Sequence, residues 1–168
     1  AIPTSPVTRT SSAGTVRYYM SMDNLAIYDQ TGKTGVTMQL NADASSSITK
    51  YATSNFYHDG SNDTYIWLRK STAEVFGTAD FTLEFWHYAK NNTISSYGGI
   101  TGSPLFECRQ QNNTDNGFEV RRTTATTLEL WDSAMRIQAT GITMLNTWVH
   151  IAVVKSAGTT TLYVDGVS

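Results

Sequence analysis

The closing stretch of the chain, Trp148 to Gly166, reads WVHIAVVKSAGTTTLYVDG and leaves few choices of fold. Trp148 to Lys155 is rich in β-branched residues and has the length of one strand. Ser156, Ala157, Gly158 and Thr159 are turn chemistry. Thr160 to Val164 then alternates, with Leu162 and Val164 on one face and Thr161 and Tyr163 on the other. The stretch predicts a β-hairpin. Asp165-Gly166, directly after it, is a second hairpin signal that calls for another strand, although the sequence ends at Ser168.

The same period of two runs through the rest of the chain. Phe81, Leu83 and Phe85 alternate with Thr82, Glu84, Trp86 and Tyr88. Leu128 and Leu130 alternate with Thr127, Glu129 and Trp131. In Tyr65 to Lys70, Ile66 and Leu68 oppose Tyr65, Trp67 and Arg69. Leu105 to Cys108 and Phe118 to Arg122 predict a hairpin, with Asn116-Gly117 in its turn. Val16 to Met22, Leu25 to Tyr28, Val36 to Leu40, Ala52 to His58, Met135 to Thr140 and Ile142 to Leu145 are shorter strand candidates. Ala42 to Thr49 and the Gly/Ser/Asn-rich Asn91 to Pro104 read as loops, and Ser71 to Asp80 as one helical turn. No long helical period and no fixed repeat occurs. Many short strands separated by turn residues predict an all-β sandwich of two antiparallel sheets.

Residues 1–14 hold two of the three prolines and no hydrophobic period; they read as an extended arm or linker, with one domain over 15–168. A net charge of -2 gives no basic footprint, which argues against nucleic acid. No apolar run reaches the ~18 residues a membrane helix needs, so no membrane insertion is expected. No basic segment followed by an apolar one marks a signal peptide. The single cysteine, Cys108, excludes an internal disulfide; in its apolar run it reads as an inert thiol.

WVHIAVVK…TTTLYVDGV, Asp80-Phe81-Thr82-Leu83-Glu84-Phe85-Trp86, and Tyr57-His58-Asp59-Gly60-Ser61 with Tyr65-Ile66 together resemble laminin G-like domains of the concanavalin A-like lectin/glucanase superfamily, of the phage or bacterial surface type. The resemblance implies a jelly-roll sandwich. It also implies several strands beyond the Asp165-Gly166 turn, so the edge at Thr160 to Val164 is expected to be paired by a neighbouring chain or by Val16 to Leu40.

Glucanases of that superfamily carry an E-x-D-x-x-E strand, because glycosidic cleavage needs two facing carboxylates. The matching strand offers Glu84 alone, and Glu107, Glu119 and Glu129 each stand alone in theirs, so no enzyme is expected. His58, His87 and His150 form no metal-type pair, and His150 matches a histidine typical of the family. No cofactor is expected. Asp59 and Asp63 have the hard oxygen donors of a Ca²⁺ loop, with an ordinary Asp-Gly turn as the alternative.

The side of each strand away from the apolar residues is aromatic and polar. Trp86, Glu84, Tyr88, Trp131, Glu129, Trp67 and, on the long loop, Tyr97 are the ligand-binding candidates. Aromatic planes stack on pyranose rings while polar groups bond hydroxyls; the alternative is that these tryptophans are buried under loops or another subunit. The expected function is a non-catalytic module of a surface or virion assembly, a phage fibre or capsid decoration, binding glycan, another surface polymer or neighbouring subunits. A purely structural module and a glycoside hydrolase are the rivals.

Overall fold

The computed structural model describes residues 4, 20, 22, 31, 35–38, 42–58, 65–68, 79–94, 96–97, 100–108, 117–132 and 134–168. All regular structure among them is β, and no helix there is long and apolar enough to cross a membrane. The chain divides into two compact units, residues 3–74 and residues 75–168.

The first unit holds β1 (Val36–Met38), β2 (Asp43–Ser45), β3 (Asn55–Tyr57) and β4 (Ile66–Leu68). β1 pairs antiparallel with β4, and β2 with β3. The strand at Asp43–Ser45 corrects the expectation of a loop there. Small polar residues have weak strand propensity, but Ala44 sits opposite Phe56, and cross-strand pairing outweighs propensity. Ser47 N–H bonds back to Ser45 Oγ and turns the chain. Ser54, though polar, is buried, and its hydroxyl donates to the Met22 carbonyl. Leu25 to Tyr28, Asp59, Asp63 and the helical turn expected before Ala79 lie outside the described residues.

The second unit holds β5 (Phe81–Tyr88), β6 (Ser96–Tyr97), β7 (Ile100–Thr101), β8 (Ser103–Glu107), β9 (Glu119–Thr124), β10 (Thr127–Asp132), β11 (Ala134–Ala139), β12 (Trp148–Ser156) and β13 (Thr159–Val164). They form a three-stranded sheet, β13-β12-β5, and a four-stranded one, β11-β10-β9-β8, all antiparallel. Val149, Ile151 and Val153 from the first sheet and Val120, Leu128 and Leu130 from the second share one core, joined by Leu162 and Met144. The layers are those the period of two predicts. Val149, Ile151 and Val153 are each 0% exposed, and burying such a side chain stabilises by about 1.5–3 kcal/mol. Phe118 stacks on Phe81 at 5.4 Å and packs on Phe106 at 5.5 Å, tying one sheet to the other.

Both predicted turns are present. Ala157 and Gly158 have φ of 49° and 81°, and Asp165 and Gly166 have 49° and 77°, the left-handed pair that a two-residue hairpin turn requires. Asp80 Oδ1 accepts the Ala157 N–H at 3.0 Å. Val164 and Val167 exchange backbone bonds of 2.8 and 3.0 Å, so the chain is already folding back along β13. Among the described residues no strand pairs with β13 on its far side. Of Val16 to Leu40, Val36–Met38 pairs with β4, and most of the rest lies outside the described residues.

Two other expectations are corrected. The stretch read as a loop from Asn91 to Pro104 contains the β6–β7 pair and the start of β8. Ile142 to Leu145 is not a strand. Met144 is buried in the core, and Leu145 makes a single bridge to Ala89. Asn146, at φ 54°, then turns the chain into β12; its N–H donates to the Ala89 carbonyl at 2.8 Å.

Candidate functional site

The side chains that point away from the core make two separate faces. On the four-stranded sheet, register places Arg121 and Gln138 on either side of Glu129, and Glu119 and Met135 on either side of Trp131. Strand pairing alone thus assembles a polar cluster around two central strands.

Glu129 is its hub. Oε2 accepts the Trp131 Nε1–H at 2.7 Å and the Arg121 Nε and Nη2 donors at 3.4 Å each, and Oε1 accepts Gln138 Nε2 at 3.0 Å. Arg121 reaches Glu119 as well, at 3.9 Å, and lies over the Trp131 ring, 3.8 Å from its centroid. Burial by itself raises the Glu129 pKa, but the bonds from Trp131 and Gln138 and the Arg121 charge outweigh it and hold the carboxyl below its ordinary value. Each buried charge therefore has a partner, as burial in a low-dielectric site demands.

The floor of this face is buried and its rim is not. Glu119, Arg121 and Glu129 are buried, Trp131 is half-buried, and Pro104, Glu107, Met135 and Gln138 around them are exposed. Gly102 makes room for the floor: a Cβ there would lie 3.0 Å from Arg121 Cδ.

The three-stranded sheet carries the other face. Trp86 lies opposite His150, and Tyr88 opposite Trp148. The ring centroids are 5.0 and 5.3 Å apart. His150 Nε2 is 3.4 Å from Glu84 Oε2, its N–H donates to Asp165 Oδ1 at 2.9 Å, and its carbonyl accepts the Asp165 N–H at 2.9 Å. The turn aspartate is thereby tied to the middle of β12. Burial lowers the His150 pKa below its ordinary value, against the pull of Glu84 and Asp165. The imidazole is therefore neutral near pH 7, and Nε2–H donates to the carboxylate.

Arg122 braces the end of the sandwich. Its Nη2 donates to the Asn91 and Thr93 carbonyls at 3.1 and 3.0 Å, tying β9 to the chain that leaves β5. Cys108 Sγ exchanges bonds with the Phe118 backbone at 3.2 Å, a structural role.

The five candidates whose side chains are described do not share one face. Trp131 and Glu129 share the four-stranded face; Glu84, Trp86 and Tyr88 share the three-stranded one. Trp67 lies on β4 and Tyr97 on β6, with side chains outside the described residues. Sequence reasoning missed Glu119, Arg121, Gln138, Trp148 and Asp165. The signal was available for two of them: Glu119 and Arg121 alternate with core Val120 as Glu129 and Trp131 alternate with Leu130.

Residues 59–168, well over half the chain, match a family model of the laminin G type described as the concanavalin A-like lectin/glucanases superfamily. No curated protein and no solved structure matches.

Proposed function

The chain belongs to the concanavalin A-like lectin/glucanase superfamily, and from that premise we propose that it is a non-catalytic glycan-binding module whose binding face is the outer surface of the β11-β10-β9-β8 sheet. The family itself supports a carbohydrate- or protein-binding module. The observation that favours glycan is the fixing of Trp131. Its ring nitrogen is committed to Glu129 and one ring face to Arg121. The residue as a whole is half-buried. An indole already held in place loses little freedom when a pyranose stacks on it.

The same contacts speak against catalysis. Glycosidic cleavage needs one acid kept protonated near neutral pH beside a second carboxylate. Glu129 is held ionised, and Glu119 shares its guanidinium partner. Glu129 is therefore not poised to donate a proton.

We place the module at a virion or cell surface, in attachment or decoration, as part of a larger assembly. Met135, 47% exposed on β11, gives an apolar contact point for a neighbouring subunit.

A glycan array on the full chain tests the reading. Binding should fall about tenfold or more in Trp131→Ala, the loss of a ~1.4 kcal/mol stack, and stay near wild type in Trp86→Ala. Loss in Trp86→Ala alone, or no glycan bound at all, would sink it. Release of reducing sugar from laminarin-type or agar-type polymers that disappears in Glu84→Gln would restore the hydrolase. Light scattering tests the assembly: a strict monomer at high concentration speaks against it.

A further inference from the structure

We infer that Arg122 forms a binding site for a compact monovalent anion, a chloride ion or a single carboxylate group, at the end of the sandwich. Arg122 follows core Val120 by two residues on β9 and lies opposite Leu128 of β10 and Ser103 of β8. Register therefore turns it inward, away from the face that carries Arg121 and Trp131. It is 4% exposed. Nη2 donates to the Asn91 and Thr93 carbonyls. Nε is buried without a hydrogen-bond partner, and the Nη1 donors have none among the described residues.

A guanidinium stays charged when buried, and the loss of its water is strongly unfavourable unless an opposite charge and further acceptors replace it. Arg121, the preceding residue, has that replacement in Glu129 and Glu119. Arg122 has two neutral carbonyls and no carboxylate among the described residues. Burial lowers its pKa, and no charge among those residues opposes the shift. The brace to Asn91 and Thr93 does not require a cation. It uses the N–H groups of one nitrogen, and a neutral amide carries as many. The positive charge and the N–H groups of Nε and Nη1 are surplus to it, and an anion uses both.

The burial also limits what can bind. Of the unspent donors only Nε is fully enclosed, so the anion meets the guanidinium at Nη1. With the residue 4% exposed, that approach suits an ion or one carboxylate rather than a polymer face. A charge-assisted bond there forms in a low-dielectric setting, where it is stronger than at the surface.

Thermal melts of the full chain test the site. Chloride or acetate replaces a bulky sulfonate buffer anion at fixed ionic strength, so that general screening stays constant. The unfolding midpoint should rise along a saturating curve. At ten times the half-saturating concentration the folding constant gains about elevenfold and the midpoint about 3–5 °C. Saturation by both anions supports a general compact-anion site, and saturation by acetate alone or chloride alone supports the site and names its ligand. Arg122→Met should abolish the saturating rise. The same curve in Arg122→Met, or no saturating rise with either anion, overturns the inference. Should that variant fail to fold, the wild-type chain decides by nitrogen NMR: the Arg122 guanidinium resonances follow the same saturation curve, or stay in place and overturn it.

Discussion

Replacing Glu129 by glutamine removes one charge and keeps the shape, so it measures what the hub of the four-stranded face is worth. The side chains of Glu129 and Arg121 are 12% and 6% exposed. That places them with buried pairs, where removing one partner costs about 3–5 kcal/mol, rather than with exposed pairs worth ~0–1. Two details pull the estimate down. The contacts to Arg121 are 3.4 Å, longer than the ~2.9 Å of a strong charge-assisted bond. Glutamine also keeps an oxygen for the Trp131 ring nitrogen. The expected loss is about 3 kcal/mol at pH 7. With a urea slope of ~2 kcal/mol/M, the unfolding midpoint followed by tryptophan fluorescence should drop by about 1.5 M. Arg121→Met should cost more, because a single guanidinium serves both Glu129 and Glu119. The gap between wild type and Glu129→Gln also has a pH signature. The carboxyl is held below its ordinary value in the fold. Its contribution is therefore fully present above the unfolded value of ~4.3 and is lost as pH falls through the folded one. A loss below about 1 kcal/mol for Glu129→Gln, or Arg121→Met milder than Glu129→Gln, refutes the account of a buried, mutually satisfied cluster.

Ala157 occupies the left-handed region at φ 49°, so Ala157→Asn, which relieves that strain and completes the preferred Asn-Gly turn, should raise stability by about 0.5–1 kcal/mol and the melting temperature by ~2–4 °C. Burial lowers the His150 pKa, so the unfolded chain takes up this proton first; stability should fall as pH drops below ~6.5, and thermal melts of His150→Gln between about pH 8 and 5 should lack that share of the slope. Gly102→Ala puts a Cβ 3.0 Å from Arg121 Cδ at a glycine with φ +153°; it should cost about 1–3 kcal/mol and shift the tryptophan emission in the same sense as Arg121→Met, since both displace the guanidinium from the indole.

The layers were legible because apolar side chains on alternate residues can go only one way. Phe81, Leu83 and Phe85, then Leu128 and Leu130, then Val149, Ile151 and Val153 meet in the core as their period requires. The turns were legible because Ala157-Gly158 and Asp165-Gly166 carry turn chemistry in the sequence itself. Asp43–Ser45 and Ile142 to Leu145 were not. The first is a strand because Phe56 lies opposite Ala44; the second is not, because Met144 plugs the core and Asn146 turns the chain. Both outcomes depend on partners distant in sequence. The buried charges were hidden for a related reason. Glu119 and Arg121 fall at positions that point away from the core, which reads as solvent. Their burial, and the register that brings Arg121 to Glu129, depend on neighbours that no single strand encodes.

The division of the tryptophans follows from the same limit. Alternation fixes a side chain's direction relative to its own sheet, so Trp86 and Trp131 carry the same mark in sequence: opposite to leucine and phenylalanine. β5 and β10 lie in different sheets with one core between them, and equal marks then mean opposite directions. A sugar stacked on Trp131 cannot also touch Trp86. The choice between the faces has to come from what surrounds each ring. Trp86 packs on an imidazole kept neutral by burial, beside a glutamate whose side chain is 40% exposed. Trp131 has its nitrogen and one ring face fixed by two oppositely charged groups that are themselves buried. The second arrangement spends charged residues on holding an indole still. Burying Arg121, Glu119 and Glu129 beneath a ring that served only as packing would add desolvation cost that an apolar floor avoids, and that asymmetry is the physical reason to look for the ligand at Trp131.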